Sequence, residues 1–204
     1  PAFKTIELRE LDMECTWGEE NQKYIYIADM HGKAHTYFTY NAQLFEFMVR
    51  LRKQSFIRPD QIRAALELRR EIISAMRCGR HLVIHLSTMV PTFGDYDIKD
   101  VCPLKDHFFN RKNTGEKCRE WIKPDEDFDV HKNKGFFECH KKFNIIILSN
   151  MSDPDCDDEI IQRLEIKFHT WKISTNFISN QKSDFNIFKL IQCLFLIIGV
   201  LGFW

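Results

Sequence analysis

The sequence predicts an α/β protein in which helices cover a parallel sheet, and three features support this prediction. Residues 145–148 are purely aliphatic and residues 82–86 are nearly so, which is typical of strands that are buried on both faces. A long segment with apolar residues at helical spacing precedes residues 82–86 and ends at Gly79. A helix, a glycine and a buried strand in this order form half of a βαβ unit, so we expect parallel strands.

The composition is that of a folded protein and argues against some functions. Of the 204 residues, 44% are hydrophobic and 28% are charged. The 29 basic residues balance the 29 acidic ones, which gives no support for general binding to nucleic acids or acidic membranes. Seven scattered cysteines without a C-x-x-C motif predict reduced thiols in a cytoplasmic protein. The chain begins at Pro1 without an apolar leader, and we expect it to be a fragment of a longer protein.

Residues 1–58 are expected to form a β-hairpin followed by a helix. Residues 24–28 and 36–40 are rich in strand-forming side chains, and Gly32 between them can adopt the positive φ of a turn. Asn41 is the predicted N-cap of a helix that continues to Leu51.

Residues 59–170 are predicted to form the α/β core. Its first helix begins at Pro59 or Asp60, carries one apolar stripe and ends at Gly79, which is the expected C-cap glycine. The first buried strand, at residues 82–86, follows directly.

A polar insertion at about residues 91–142 separates the two buried strands. Residues 101–110 are expected to form a short helix, and residues 114–134 are expected to be exposed. After the second buried strand at residues 144–148, a helix at 157–163 and a strand at 164–168 are predicted to close the core.

Residues 171–204 are expected to form a tail, whose apolar stretch from Leu190 to Trp204 has no charged residue. This stretch has fifteen residues, fewer than the roughly 20 that a membrane-spanning helix needs. Three interpretations stay open: a short tail anchor in a membrane, a buried terminal helix, and a non-native terminus.

Residues 27–34, with the sequence IADMHGKA, come nearest to a phosphate-binding P-loop. That loop needs G-x-x-x-x-G-K-[ST] after a strand, because its backbone amides and its lysine hold the phosphates. Gly32 and Lys33 fit, but Ile27 replaces the first glycine and Ala34 replaces the hydroxyl that binds Mg²⁺. A hairpin turn is the favoured interpretation, and a degenerate P-loop is the alternative.

No metal or catalytic site is predicted. The polar region that holds Cys118, His131, Cys139 and His140 lacks a short C-x-x-C arm, and its adjacent pair is poorly placed for one tetrahedral ion. The two histidines of the first buried strand, at positions 81 and 85, share one face and are expected only to flank its packing. The acidic residues at 95–100 and 125–129 are expected to be charges on solvated loops.

The order of these segments resembles the later part of an AAA+ P-loop ATPase module, including the degenerate modules of dynein heavy chains and related ciliary proteins. Residues 82–86 resemble the Walker B strand, and residues 144–148 resemble the sensor-1 strand, with Asn150 near the sensor position. Arg163, in the stretch DDEIIQRLEIKF, resembles the arginine that can act on a neighbouring subunit's nucleotide. The resemblance implies a P-loop-like sheet, with Asn150 and Arg163 as candidate nucleotide-binding residues.

The chain departs from that family at the two motifs that bind the nucleotide and Mg²⁺. Walker A is incomplete, and Ser87 and Thr88 stand where the Walker B acids would hold Mg²⁺. We therefore expect a non-catalytic structural or regulatory module that acts through protein contacts in a cytoplasmic assembly, such as a cytoskeletal or ciliary axoneme. The alternatives are part of an active ATPase whose Walker A lies outside this chain, which would then use ATP and Mg²⁺, and a membrane interaction protein anchored by its apolar tail. No other cofactor and no nucleic-acid partner is expected.

Overall fold

The computed structural model describes residues 4–21, 23–52, 58–89, 93–110, 114–115, 117–150 and 169–173. Its strands are β1 (Lys4–Ile6), β2 (Ile25–Ala28), β3 (Gln43–Glu46), β4 (His81–His85), β5 (Asn144–Ser149) and β6 (His169–Ile173). Its helices are α1 (Leu11–Glu20), α2 (Lys33–Asn41), α3 (Phe47–Arg52), α4 (Arg58–Cys78) and the single turn α5 (Cys118–Trp121). Shorter helical turns lie at Leu8–Glu10, Phe93–Tyr96 and Leu104–Phe108.

The six strands form one parallel sheet in the order β1-β6-β2-β5-β4-β3. The α/β class and the parallel sheet are therefore confirmed. The two predicted buried strands are direct neighbours, with His81 opposite Asn144 and His85 opposite Leu148. Strands on either side of residue 58 belong to the same sheet.

The sheet separates two apolar layers, and β5 contributes to both. Ile145 and Ile147 pack in one layer and Ile146 and Leu148 in the other, because successive side chains of a strand point to opposite faces. The first layer also contains buried residues of α4 and of residues 93–143, and the second contains those of α1 and α2. All six residues of β5 are buried, as expected for a strand that is covered on both faces.

The predicted N-terminal β-hairpin is wrong. Residues 33–41 form the helix α2 instead of a second strand. Gly32 adopts a left-handed backbone with φ of 68° directly before the helix, and Ala34 and Phe38 bury the same helical face against the sheet. This packing outweighs the strand propensity of residues 36–40, because propensities are weak where a tertiary surface decides.

Asn41 does not cap a helix. It ends α2, and residues 43–46 form the edge strand β3, which pairs with β4. The predicted helix is confirmed only from Phe47 onward. Phe45 is almost fully buried from its strand position, so the same apolar residues that suggested a helical stripe are used by the sheet.

The best-patterned helix is confirmed as α4, and Gly79 after it has the positive φ, 64°, that a C-cap glycine provides. The insertion is less exposed than expected. Thr114 is fully buried, Cys118 nearly so, and a helical turn at Leu104–Phe108 lies within the predicted short helix. Glu126, expected to be a solvated charge, instead pairs with the buried Arg69 of α4.

Three predictions fall outside the described residues: the helix at 157–163 that contains Arg163, the strand at 164–168, and the apolar tail from Leu190 to Trp204. Among the described helices, none combines the length and the apolar character that crossing a bilayer requires.

Candidate functional site

Polar side chains converge at the carboxyl ends of four neighbouring strands. Asp29 follows β2, Glu46 ends β3, His85 ends β4, and Asn150 follows β5. The carboxyl edge of an open parallel sheet is where α/β proteins place their ligands, because loops from several strands meet there.

The buried carboxylate of Asp29 closes the start of α2. Its Oδ2 accepts a hydrogen bond of 2.6 Å from the amide of Ala34, and its Oδ1 accepts one of 3.2 Å from the amide of His31. Asp29 is 1% exposed, and its own amide donates to the carbonyl of Ser149 at 2.8 Å. A helix N-terminus favours a negative group, so this carboxylate occupies a natural anion site of the fold.

Asn150 connects three strand ends. Its Nδ2 donates to the carbonyl of Asp29 at 3.2 Å, and its backbone amide donates to the carbonyl of Ser87 at 2.8 Å. Ser87 has a positive φ of 59°, so the chain turns sharply after β4. The bond from Nδ2 fixes the orientation of the amide and directs its Oδ1 toward Nε2 of His85.

His85 lies between Asn150 and a carboxylate. Because Oδ1 of Asn150 can only accept, Nε2 of His85 must carry a hydrogen. The other ring nitrogen, Nδ1, lies 2.6 Å from Oε2 of Glu46. A neutral imidazole has only one N–H, so this second contact needs either a further proton shared by Nδ1 and the carboxylate or a cation between the two groups.

Glu46 contacts a second histidine from α2. Its Oε1 lies 2.6 Å from Nε2 of His35, and the rings of His35 and His85 are 4.5 Å apart between centroids. The side chains of His35 and Glu46 are each 33% exposed, whereas that of His85 is 9% exposed. Burial raises the pKa of Glu46, but the hydrogen bonds with His35 and His85 together lower it by more. The pKa of Glu46 is therefore below its usual value.

Of the two nucleotide-binding residues predicted from sequence, the structure places only one in this site. Asn150 lies at the centre of the site, and Arg163 lies outside the described residues. His81, expected to flank the packing of β4, is paired with Glu19 of α1. Across the described part of the chain, the one group with metal-ligand geometry is His35, Glu46 and His85, and it includes none of the four Cys and His residues weighed for zinc.

Sequence reasoning missed Asp29, His35 and Glu46, because the predicted hairpin and helix placed Asp29 in the turn, His35 between the turn and the second strand, and Glu46 in the helix. One signal was available. Glu46 follows Leu44 and Phe45, and His85 follows three aliphatic residues, so parallel pairing of these two segments makes Glu46 and His85 neighbours at one edge.

Two clefts of about 510 and 340 Å³ lie elsewhere, between α4 and residues 123–141. Neither cleft is lined by any of the polar residues at the carboxyl ends of the strands. We therefore choose the candidate functional site by its converging polar groups and not by the size of a cleft.

Comparisons of the chain with protein-family models, curated proteins and solved structures gave no match.

Proposed function

We propose that the chain is a catalytically inactive, P-loop-like α/β module that acts through protein contacts. The observation that carries this proposal is the carboxylate of Asp29, which accepts hydrogen bonds from the amides of His31 and Ala34. In a P-loop, amides at this position between strand and helix hold phosphate oxygens.

Asp29 opposes nucleotide binding in two ways. Its oxygens already use amides that a phosphate would need, and its negative charge repels a phosphate at the same place. Removing the carboxylate from this position would leave the buried amide of Ala34 unsatisfied until a nucleotide arrived.

The end of β4 supports the same conclusion. Leu86, Ser87 and Thr88 follow the strand, so no carboxylate is available there to bind Mg²⁺ or to orient water. The last residue of β4 is His85, whose ring nitrogens contact Glu46 and Asn150.

The order of the strands supports the resemblance to P-loop modules. The strand β2, followed by Gly32, Lys33 and α2, lies between β5 and β6. The strand that resembles the sensor-1 strand, β5, is therefore the direct neighbour of the strand before the P-loop-like segment. The alternative of a degenerate P-loop at residues 27–34 therefore replaces the hairpin turn in our interpretation.

Calorimetric titration of the purified chain with ATP and Mg²⁺ tests the inactive assignment. We expect no saturable binding and no phosphate release, whereas an intact AAA+ ATPase in the same buffer gives both. Steady ATP turnover by the chain would overturn the proposal. The variant Asp29→Asn is the matched control for charge, because it keeps a hydrogen-bond acceptor while removing the repulsion.

The resemblance to ciliary proteins leads us to propose a cytoskeletal or axonemal assembly as the partner. Detergent extraction of ciliated cells that express the tagged chain tests this. We expect the chain to stay with the detergent-resistant axoneme and to be released by high salt. Complete release by detergent, together with solubility in the absence of detergent once residues 185–204 are deleted, would instead favour a membrane anchor in the tail.

A further inference from the structure

We propose that His35, Glu46 and His85 form a binding site for a divalent transition metal, with Zn²⁺ the best match to these ligands. They offer two imidazole nitrogens and a carboxylate oxygen from three different elements: α2, the end of β3 and the end of β4. The candidate ligand atoms all lie within 4.8 Å of one another. This inference does not depend on the proposed function, because the site uses no nucleotide group.

The separations fit a metal after a small adjustment. A tetrahedral Zn²⁺ with bonds of about 2.0–2.2 Å keeps neighbouring ligand atoms about 3.4 Å apart. The contacts of Glu46 with both histidines are 2.6 Å, so each must lengthen by less than about 1 Å. His35 and Glu46 are one-third exposed, which leaves their side chains room to rotate.

Asn150 prepares His85 to act as a ligand. Its Oδ1 accepts the hydrogen of Nε2, which leaves the lone pair of Nδ1 directed at Glu46. A second group that holds the remote nitrogen of a ligating histidine is a general feature of metal sites. Asn150 is itself fixed by the carbonyl of Asp29 at 3.2 Å, so the orientation is built into the sheet edge.

The ligand types select the ion. Imidazole with one carboxylate suits Zn²⁺ and neighbouring transition metals, whereas Mg²⁺ and Ca²⁺ prefer oxygen ligands alone. The partial exposure of His35 and Glu46 leaves room for water as a fourth ligand. A bound ion would fasten α2 to the ends of β3 and β4, and its binding free energy would add to the stability of the fold.

The test uses the full chain, stripped with EDTA and kept reduced. Zn²⁺ is titrated in competition with a chromophoric chelator, and thermal unfolding is followed with and without the ion. We expect one equivalent of tight binding and an increase in the unfolding temperature. We expect Asn150→Ala to weaken the affinity by about 10- to 100-fold, and Glu46→Gln and His85→Asn to weaken it further.

Two further measurements separate this site from the thiols. Co²⁺ in place of Zn²⁺ should give visible ligand-field bands without an intense thiolate charge-transfer band. His81→Gln is the matched control, because it breaks another histidine–glutamate pair, with Glu19, and should leave the affinity unchanged. His35→Gln changes a partly exposed helical residue and tests the site even if a buried variant fails to fold.

Three results would overturn the proposal: no binding by the wild-type chain, equal affinity in wild type and His35→Gln, or a Co²⁺ spectrum dominated by thiolate. In each case the contacts of Glu46 with the two histidines would be hydrogen bonds without a bound ion.

Discussion

The Oδ2 atom of Asp29 lies 2.6 Å from the amide nitrogen of Ala34, so a side chain at the end of β2 satisfies the first turn of α2. The same residue also accepts, through its carbonyl, a hydrogen bond from Asn150 after β5. One residue therefore fixes the start of a helix and the position of a neighbouring strand end. This explains why a segment of strand-forming residues can follow β2 as a helix.

Replacing Asp29 should reduce stability. We expect Asp29→Ala to lower the free energy of unfolding by about 2 kcal/mol, the upper end for loss of a helix cap, because the freed amide of Ala34 is buried. Asp29→Asn keeps one acceptor and should cost less. Urea denaturation at neutral pH measures both, and equal stability of Asp29→Ala and wild type would contradict the role of the carboxylate.

The parts of the fold that could be predicted have long or unmixed patterns. Helix α4 holds its apolar stripe over many turns, and residues 145–148 offer no polar face, so only one type of element fits each. The prediction failed at residues 36–40 because their side chains fit either a strand or a helix. The choice depended on burial of Phe38 and on hydrogen bonding by Asp29, which lies outside this segment.

The candidate site was less predictable than the fold. Glu46 and His85 are 39 positions apart, and they meet only because β3 and β4 pair in one particular register. His35 joins them only because α2 is a helix. A local pattern carries neither kind of information, whereas Asn150 could be noticed because it directly ends a buried strand.

The buried ion pair between Arg69 and Glu126 should be essential for docking the insertion on α4. Arg69 donates from Nε to Oε1 at 2.6 Å and from Nη2 to Oε2 at 2.5 Å, and it also reaches the carbonyls of Val101 and Trp121. Its side chain is 3% exposed. We expect Arg69→Met and Glu126→Gln each to cost about 3 kcal/mol in urea denaturation, because each leaves a buried partner unpaired.

The neighbouring Asp125 supplies the control for that pair. It is exposed, and Asp125→Asn should change the free energy of unfolding by no more than about 0.5 kcal/mol. The double variant Arg69→Met with Glu126→Gln should lose less than the sum of the two single losses, since no unpaired charge remains. Additive losses in the double variant would refute the coupling.

Gly18 of α1 should not tolerate even a methyl group. A Cβ there would lie 2.6 Å from Cδ1 of Ile25 and 2.9 Å from Nδ2 of Asn144. A glycine-to-alanine change inside a helix usually stabilises by about 0.5–1 kcal/mol, but overpacking here should reverse the sign and cost about 1–3 kcal/mol. Thermal or urea unfolding measures it. Gly94→Ala is the control, because a Cβ at that position has no atom within 4 Å. A stabilised Gly18→Ala would show that α1 is free to move away from β2.

The buried thiol of Cys15 should make the protein less stable in alkali. Burial, and then the carboxylates of Asp12, Glu19 and Glu14, raise the pKa of Cys15 from the usual 9.0 to about 12. Between these pH values the unfolded thiol has lost its proton while the native thiol keeps it, so unfolding releases a proton. The stabilising contribution is therefore complete below pH 9 and declines as the pH rises toward 12, by at most about 1.4 kcal/mol per pH unit.

Urea unfolding in reducing buffer at pH 8, 9, 10 and 10.5 measures that decline. Other groups contribute to it, because burial also raises the pKa of Cys102 and that of Tyr37, the latter to about 12. Cys15→Ala removes only the share of Cys15, so above pH 9 its stability should fall less steeply than that of the wild type. Cys78→Ala, at an exposed position, should keep the wild-type slope. Identical slopes for Cys15→Ala and wild type would mean that Cys15 ionises alike in the folded and unfolded chains.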